Sequence, residues 1–444
     1  MKTVFITSFH VLISRNILQT AVLRKLLEAE AHLVLIVPSG KVSFFQKEFA
    51  DERISIVGVT VPKKKGEALL TFLSIALVGV ENHLIRDLKT EGSYLRYYVA
   101  HFVHAVCGRL FFFHRVIRLL ARWYLHTDAF DALFTRYTPD LVFATDIFYR
   151  EDSALITMAN ARKIPAIGMV RSWDNATTKG VLLCAPEQIL VTNQIIKDEL
   201  VAIHHVQREH IVVTGIPHYD YVLQPPSLSR EDFCAKLGLD PKKKIVLFAP
   251  GGRILYQHDA DFLSVFARLL DTGSFLEPLQ FIVRPPPTDT VDTSTVSGDS
   301  RFVLDIPGVS ITGRKKENEM SKNDQRHLHD SLYHCDVVIT PASTMIIDGM
   351  VYNHPVVVLG FDPLTNPSDP IAKFSSYVHL RKLLGSGLVT VSRSETDFVR
   401  DMNEALDTPD AHRDERDEVM RRYTYRLDGE SGKRVAEAVL LALH

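Results

Sequence analysis

Along nearly the whole chain, short apolar, β-branched runs alternate with segments of helical periodicity. Val4–Thr7 (VFIT), His32–Pro38 (HLVLIVP), Asp140–Thr145 (DLVFAT), Pro165–Val170 (PAIGMV), Gln188–Asn193 (QILVTN) and Ile211–Gly215 (IVVTG) are apolar on successive rather than alternate positions. Runs of that kind predict strands buried on both faces, as in a parallel sheet covered by helices. Between them, Ile17–Ala29, Asp152–Ala161 and Ile195–Ala202 place apolar residues at helical spacing and supply the crossovers.

The pattern breaks at Tyr221–Asp232 (YVLQPPSLSRED), where paired prolines and polar residues suit a linker, and then restarts. Lys244–Pro250, Leu279–Pro285, Val309–Gly313, Cys335–Pro341, His354–Gly360 and Leu388–Val391 are the expected strands of the second half. His258–Leu270, Ser343–Tyr352 and a last helix, Ser431–His444, lie among and after them, and Thr288–Ser300 reads as a polar surface loop. The predicted fold is α/β: two Rossmann-like, doubly wound parallel-sheet domains facing a cleft. The expected boundaries are 1–222 for the N-terminal domain, 223–240 for a linker, 241–427 for the C-terminal domain, and 428–444 for a helix free to cross back to the first domain.

One region departs from the alternation. From Gly92 to Thr127 there is no acidic residue, while Arg96, Arg109, Arg115, Arg118 and Arg122 lie among tyrosines, phenylalanines and Trp123. Arg115, Arg118 and Arg122 recur on one helical face. This basic aromatic insert, about 66–126, reads in two ways: an amphipathic helix pair packed on a sheet, or a monotopic contact with an anionic membrane surface. The apolar stretch Leu69–Val80 is too short to span a bilayer, which takes ~20 residues.

With 444 residues the chain has room for about two or three domains. The 51 Lys+Arg against 53 Asp+Glu lack the basic excess of a general nucleic-acid binder, so no nucleic-acid partner is expected. Cys107, Cys184, Cys234 and Cys335 show no metal-ligand spacing and suit a reducing compartment. Met1 leads directly into KTVFIT, with no signal peptide. The expected location is cytoplasmic, peripheral on the inner face of the cytoplasmic membrane if the insert docks there.

Candidate chemistry concentrates at strand ends. After CDVVITPA, Ser343 and Thr344 open a helix whose first N–H groups have no internal partner, a setting suited to a diphosphate. Asp348 is then placed for a ribose hydroxyl; alternatively Ser343 is an N-cap and Asp348 complements the helix dipole. KIVLFAPGGR ends in Gly251, Gly252 and Arg253, where glycines let backbone approach a ligand and arginine can bridge phosphate oxygens. LQFIVRPPP presents Arg284 at another strand end. Asp259 and Asp261, the one Asp-x-Asp, fall in a predicted helix and make a poor metal site, and His327, His329 and His334 read as surface residues of a helix.

This set of motifs resembles bacterial CDP-glycerol glycerophosphotransferases and their relatives among GT-B surface-carbohydrate glycosyltransferases, from about Asp140 to Arg434. Trp173 and Lys179 match the acceptor motif, with Asp174 standing where the resemblance places a catalytic histidine. Gly215, Pro217 and Asp220 match a further motif, with His218 in place of arginine. Ala249, Pro250 and Arg253 match, as do Ser343, Thr344 and Asp348 of the nucleotide motif, and Asp428, Gly429 and Arg434 near the end. The histidine expected after Arg284 is replaced by proline.

The resemblance implies a nucleotide-diphosphate site in the second domain, and its departures point away from glycerol-phosphate transfer toward sugar transfer. It implies a metal-independent glycosyltransferase of cell-surface polysaccharide biosynthesis, with a nucleotide-sugar as substrate, no further cofactor, and a glycan or lipid-linked glycan as acceptor. Gly252, Arg253, Arg284, Ser343, Thr344, Asp348 and His218 are the expected donor-binding residues. Asp174 is the expected base of an inverting transfer, Lys179 its partner or a neutraliser of the leaving diphosphate, and Asp146 a second possible base. His10, Trp173, Asn175 and Thr177 are the expected acceptor contacts, although SWDNATTK also suits a local Asx-turn with Trp173 as a lid. A CDP-glycerol-type polyol-phosphate transferase, a nucleotide-sugar epimerase or hydrolase, and a non-catalytic nucleotide-sugar-binding protein stand as alternatives.

Overall fold

The structure, a computed structural model, describes residues 1–79, 82–108, 110–253, 256–311, 313, 318–341, 343–366 and 370–443. Val80, Arg109, Thr312, Ala342 and His444, named above, lie outside them. The chain divides into two compact units, Met1–Asp220 with Arg422–His444, and Tyr221–Arg421.

Among the described residues the first unit is built on seven strands: β1 (Thr3–Thr7), β2 (His32–Pro38), β3 (Ile54–Val59), β4 (Leu141–Ala144), β5 (Ala166–Met169), β6 (Gln188–Val191) and β7 (Ile211–Val213). They are ordered β3-β2-β1-β4-β5-β6-β7 and every pairing is parallel. The second unit has β8 (Lys244–Phe248), β9 (Leu279–Val283), β10 (Phe302–Leu304), β11 (Val337–Thr340), β12 (Val356–Leu359) and β13 (Thr390–Ser392). Their order is β10-β9-β8-β11-β12-β13, again parallel throughout. Both sheets are therefore doubly wound around a central strand, β1 in one and β8 in the other. The central strands are buried along their length: Val4, Phe5 and Ile6 in β1, and Ile245, Val246, Leu247 and Phe248 in β8. Each such side chain contributes about 1.5–3 kcal/mol on burial, which explains why runs apolar on both faces end up inside.

Three expectations are corrected. The edge strand β3 (ISIVGV) has no counterpart among the sequence-predicted strands; its residues are mostly half-buried, as befits a strand covered less completely than the centre. The strand expected at Val309–Gly313 is displaced to Phe302–Leu304, where Phe302 stacks on Phe281 of β9 (ring centroids 5.0 Å apart). Val309 makes only an isolated antiparallel bridge to Glu319. The segment 223–240 is not a free linker. It carries the helix Arg230–Leu237, and Arg230 and Ser227 bond into the second unit at His334 O and Asp330.

The last helix, Ser431–Leu441, belongs to the first unit, and two motifs that carried the resemblance hold it there. Asp220 accepts hydrogen bonds from the amides of Ser431 (3.1 Å) and Gly432 (2.8 Å), two of the orphan donors of the helix start. Arg434 pairs with Asp428 at 2.9 Å and donates to Thr214 O at 2.7 Å. Gly215 has φ +86°, and a Cβ there would lie 2.5 Å from Ser431 Oγ, so only glycine fits against the helix. These residues serve packing within the unit.

A buried histidine fastens another part of the same unit. His204 Nε2 donates to Ala176 O (2.8 Å), and Nδ1 accepts from the Leu182 amide (3.1 Å). Burial, followed by the Arg118 charge, pushes its imidazole down to about 3, against the pull of the Ala176 carbonyl. The unfolded chain takes up this proton near pH 6.5 and the folded chain refuses it until about pH 3. Stability therefore falls as pH drops between those values, and the contribution at pH 5 is ~2 kcal/mol relative to pH 8. We expect His204→Gln to lose stability at neutral pH but to show a pH 8-to-5 decline smaller by about this amount, read from urea unfolding. An identical decline in both proteins would count against the assignment.

Candidate functional site

In doubly wound sheets the strand order reverses beside the first strand, and the loops leaving that point open a crevice at the carboxyl ends. In the first unit the reversal lies between β1 and β4. His10 follows β1, Asp146 follows β4, and Arg171 to Lys179 follow β5, so sequence positions spread over the whole unit converge there. The base of the crevice is bonded across the reversal. Thr7 donates to the buried Asp152, which also accepts the Asp146 amide at 3.1 Å, and the Thr145 hydroxyl donates to Thr7 O at 2.9 Å. Burial, reinforced by the Asp146 charge, raises the Asp152 pKa well above that of an ordinary carboxyl group.

Asp174 precedes the short helix Asn175–Thr178 and is half-buried. Its Oδ1 accepts from the Ser172 hydroxyl and its Oδ2 from the Thr178 hydroxyl at 2.9 Å, so the carboxylate is held in one orientation. His10 lies within electrostatic reach. Burial, then the charges of Arg171, Lys179 and Lys41, push the imidazole down to about 3, while Asp174 pulls the other way. Its Nδ1 accepts from the Leu12 amide at 3.2 Å, which leaves Nε2 as an N–H donor in a neutral ring. Lys179 is exposed beside this group.

Asp146 is held differently from the expectation of a second base. It is 3% exposed, and its Oδ2 is ion-paired with Arg171 Nε at 2.7 Å. Its Oδ1 accepts from Asn175 Nδ2 and the Phe148 amide, both at 3.3 Å. With both oxygens occupied, Asp146 anchors Arg171 and the Asn175 loop. Asn175 is fully buried, and Thr177, buried as well, returns its hydroxyl to Asp174 O (3.1 Å). Both serve the loop rather than presenting polar atoms to an acceptor. Trp173 is half-buried and meets Tyr423 edge-on, ring centroids 5.3 Å apart. Arg171 was missed in the sequence, although it shares with Arg253 and Arg284 the position just past an apolar strand.

In the second unit the reversal lies between β8 and β11, and the two motifs read as a diphosphate site leave from those two strands. Thr340 ties them together: its hydroxyl donates to Ala249 O (2.8 Å) and lies 2.7 Å from Ser343 Oγ, which accepts the Met345 amide at 3.2 Å. Ser343 thus satisfies the first amide of helix Met345–Val351, but the cap position itself falls to Thr344, which is exposed and makes no side-chain capping bond. Gly252 has φ +84°, and a Cβ there would sit 2.7 Å from Asp289 Oδ2. Its amide donates to Asp259 Oδ2 at 2.6 Å. Burial pushes the Asp259 carboxyl up to about 7, although the Gly252 and Gly251 amides pull it down. Arg253 is exposed at the lip of this loop.

Three expected donor residues are sequestered. Arg284 is buried in an ion pair with Asp305, whose other oxygen lies 3.1 Å from His327 Nε2. Burial alone would push the Asp305 carboxyl up, but the His327 hydrogen bond and the Arg284 charge outweigh it and hold it low. Asp348 is 4% exposed and engaged within the fold, so it does not present a free carboxylate for a ribose. His218, in the first unit, is buried with Nε2 3.2 Å from Arg15 Nη2; burial and that charge hold it neutral. The neighbouring histidines also depart from expectation. His329 bonds Tyr352 Oη at 2.6 Å and His334 bonds Leu228 O at 2.8 Å, both from buried positions.

The sequence matches no protein-family profile and no curated protein. Solved structures do match over essentially its full length. UDP-GlcNAc 2-epimerase from Neisseria meningitidis, bound to UDP-GlcNAc, aligns with TM-score 0.57 at 11% identity over 99% of this chain and 100% of its own. The wall teichoic acid polymerase TagF aligns with TM-score 0.55 at 10% identity over 100% and 89%. A glycosyltransferase from Rickettsia africae aligns with TM-score 0.51 at 10% identity over 99% and 98%. The fold is GT-B. At these identities the likeness establishes the GT-B architecture, which epimerases and transferases share.

Proposed function

We propose that this GT-B protein is an enzyme acting on a nucleotide-sugar, and specifically a glycosyltransferase that moves the sugar to a hydroxyl of a glycan or lipid-linked acceptor. The observation that carries this reading is the placement of both candidate clusters. His10, Asp174 and Lys179 fall at the strand-order reversal of the first sheet, and Gly252, Arg253, Ser343 and Thr344 at that of the second. Ligands of doubly wound sheets bind at such points.

In this reading the second unit takes the nucleotide diphosphate at Arg253 and the backbone around Thr344, and the first unit takes the acceptor. Asp174 accepts the proton of the acceptor hydroxyl. That oxygen bonds to the anomeric carbon, the bond from that carbon to the diphosphate oxygen breaks, and nucleoside diphosphate leaves. Neutral His10 donates from Nε2 to an oxygen of the acceptor, with Lys179 beside it.

A panel of UDP, GDP, CDP and CMP in thermal unfolding tests the donor half. A nucleotide at a hundred times its Kd stabilises by ~2.7 kcal/mol, so the cognate diphosphate is expected to stand apart from the others. No response to any diphosphate would overturn the assignment.

A second reading, nucleotide-sugar epimerisation, draws on the full-length likeness to UDP-GlcNAc 2-epimerases. NMR of the cognate nucleotide-sugar incubated without acceptor separates the two. An epimerase converts the sugar unaided, whereas the transferase releases diphosphate only when an acceptor is added.

A further inference from the structure

The helical insert of the first unit turns much of its apolar surface outward. Helix Tyr94–Val103 buries only Ala100 and exposes Tyr94, Leu95, Tyr98 and Phe102, the last at 66%. Helix Phe111–Leu125 is two-sided. His114, Ile117, Ala121 and Leu125 face inward at helical spacing, while Phe112 (67% exposed), Leu119, Leu120 and Trp123 (68% exposed) face outward. Exposed aromatic and aliphatic side chains gathered on two helices of one insert suit a binding face better than scattered exposure does.

The charges among these side chains are all of one sign. Arg96, Arg115 and Arg122 are exposed, and none pairs with a carboxylate among the described residues. Arg115 lies over the Phe111 ring, 5.8 Å from its centroid. The third arginine of the expected stripe, Arg118, points inward and donates to Leu182 O and His204 O. A cavity of about 580 Å³ opens beside the stripe, with Lys64, Arg122, Trp123 and His126 on its wall.

We propose that this face docks in the headgroup region of an anionic bilayer, with Phe102, Phe112 and Trp123 entering the interface and Arg96, Arg115 and Arg122 meeting lipid phosphates. Charge decides the occupant. A second copy would set one acid-free arginine face against another, whereas an anionic leaflet neutralises each of them. No single described helix is long and apolar enough to cross a membrane.

The chain has two tryptophans, so in Trp173→Phe protein Trp123 is the sole emitter. Vesicles of phosphatidylcholine, with and without phosphatidylglycerol, are the probe. The protein is expected to sediment with the anionic vesicles at low salt and to release at high salt, where charges more than ~3–8 Å apart are screened. Trp123 emission should shift blue and be quenched by brominated acyl chains. Arg96→Gln/Arg115→Gln/Arg122→Gln, and separately Phe102→Ser/Phe112→Ser, should each lower the bound fraction about tenfold at low salt, as expected for combined charge and apolar insertion. The altered side chains are exposed, so both variants should melt with the parent; should one fail to fold, the parent's salt response and quenching still decide. Absence of binding to anionic vesicles would overturn the proposal. So would a dimer in sedimentation velocity that the same substitutions dissolve.

Discussion

Asp174→Asn is expected to reduce turnover by about 10²–10⁴-fold, or ~3–5 kcal/mol of transition-state stabilisation, while leaving nucleoside diphosphate affinity unchanged. The amide is nearly isosteric, and its Oδ1 still accepts from Ser172. The Thr178 hydroxyl, now 2.9 Å from Oδ2, can turn to accept from the amide nitrogen, so the loop keeps its shape. What disappears is the capacity to take a proton. Steady-state kinetics paired with calorimetry separates the two effects, because a damaged loop would weaken acceptor binding as well as kcat. Unaltered kcat in the variant would remove Asp174 as the base and direct attention to the neutral His10.

Arg171→Met is expected to cost ~3–5 kcal/mol of stability, because it leaves a buried carboxylate without its counter-charge. The side chains of Arg171 and Asp146 are 11% and 4% exposed, and after the change only the two 3.3 Å contacts from Asn175 and Phe148 would remain on Asp146. Adding Asp146→Asn should recover most of the loss, since the buried charge is then gone. Lys2 and Asp140 form an instructive control. Their side chains are 54% and 32% exposed, and Lys2→Met should cost no more than ~1 kcal/mol. Urea unfolding of the four proteins checks the contrast. Equal, small losses from Arg171→Met and Lys2→Met would mean that water screens both pairs alike.

The architecture was largely legible because burial on both faces leaves a local signature. LVLIVP and IVLFAP are apolar at every position, as a strand covered on both faces of a parallel sheet demands. The failures fell at the edges. β3 and β10 are partly solvated, so their composition is constrained less and their pattern is weaker. The positions of Asp174, Gly252 and Ser343 just past strands were readable for the same reason, since the end of an apolar run is visible in one dimension.

The roles of those residues were not readable in the same way. Asp146 and Asp174 are both carboxylates a few residues beyond a strand, and nothing in their neighbourhoods along the chain separates them. The fold separates them by bringing Arg171, twenty-five positions from Asp146, to within 2.7 Å of it, while leaving Asp174 among hydroxyls. The same holds for Arg284, neutralised by Asp305, and for the outward face of helix Phe111–Leu125, whose arginines share a stripe in sequence but divide between carbonyls inside and solvent outside. The sequence by itself determined where strands end and which residue types gather there, because hydrophobic burial is written locally. Only the tertiary structure decided which charges are spent on one another and which remain for a ligand, because ion pairing depends on distances of a few ångströms between residues far apart in the chain.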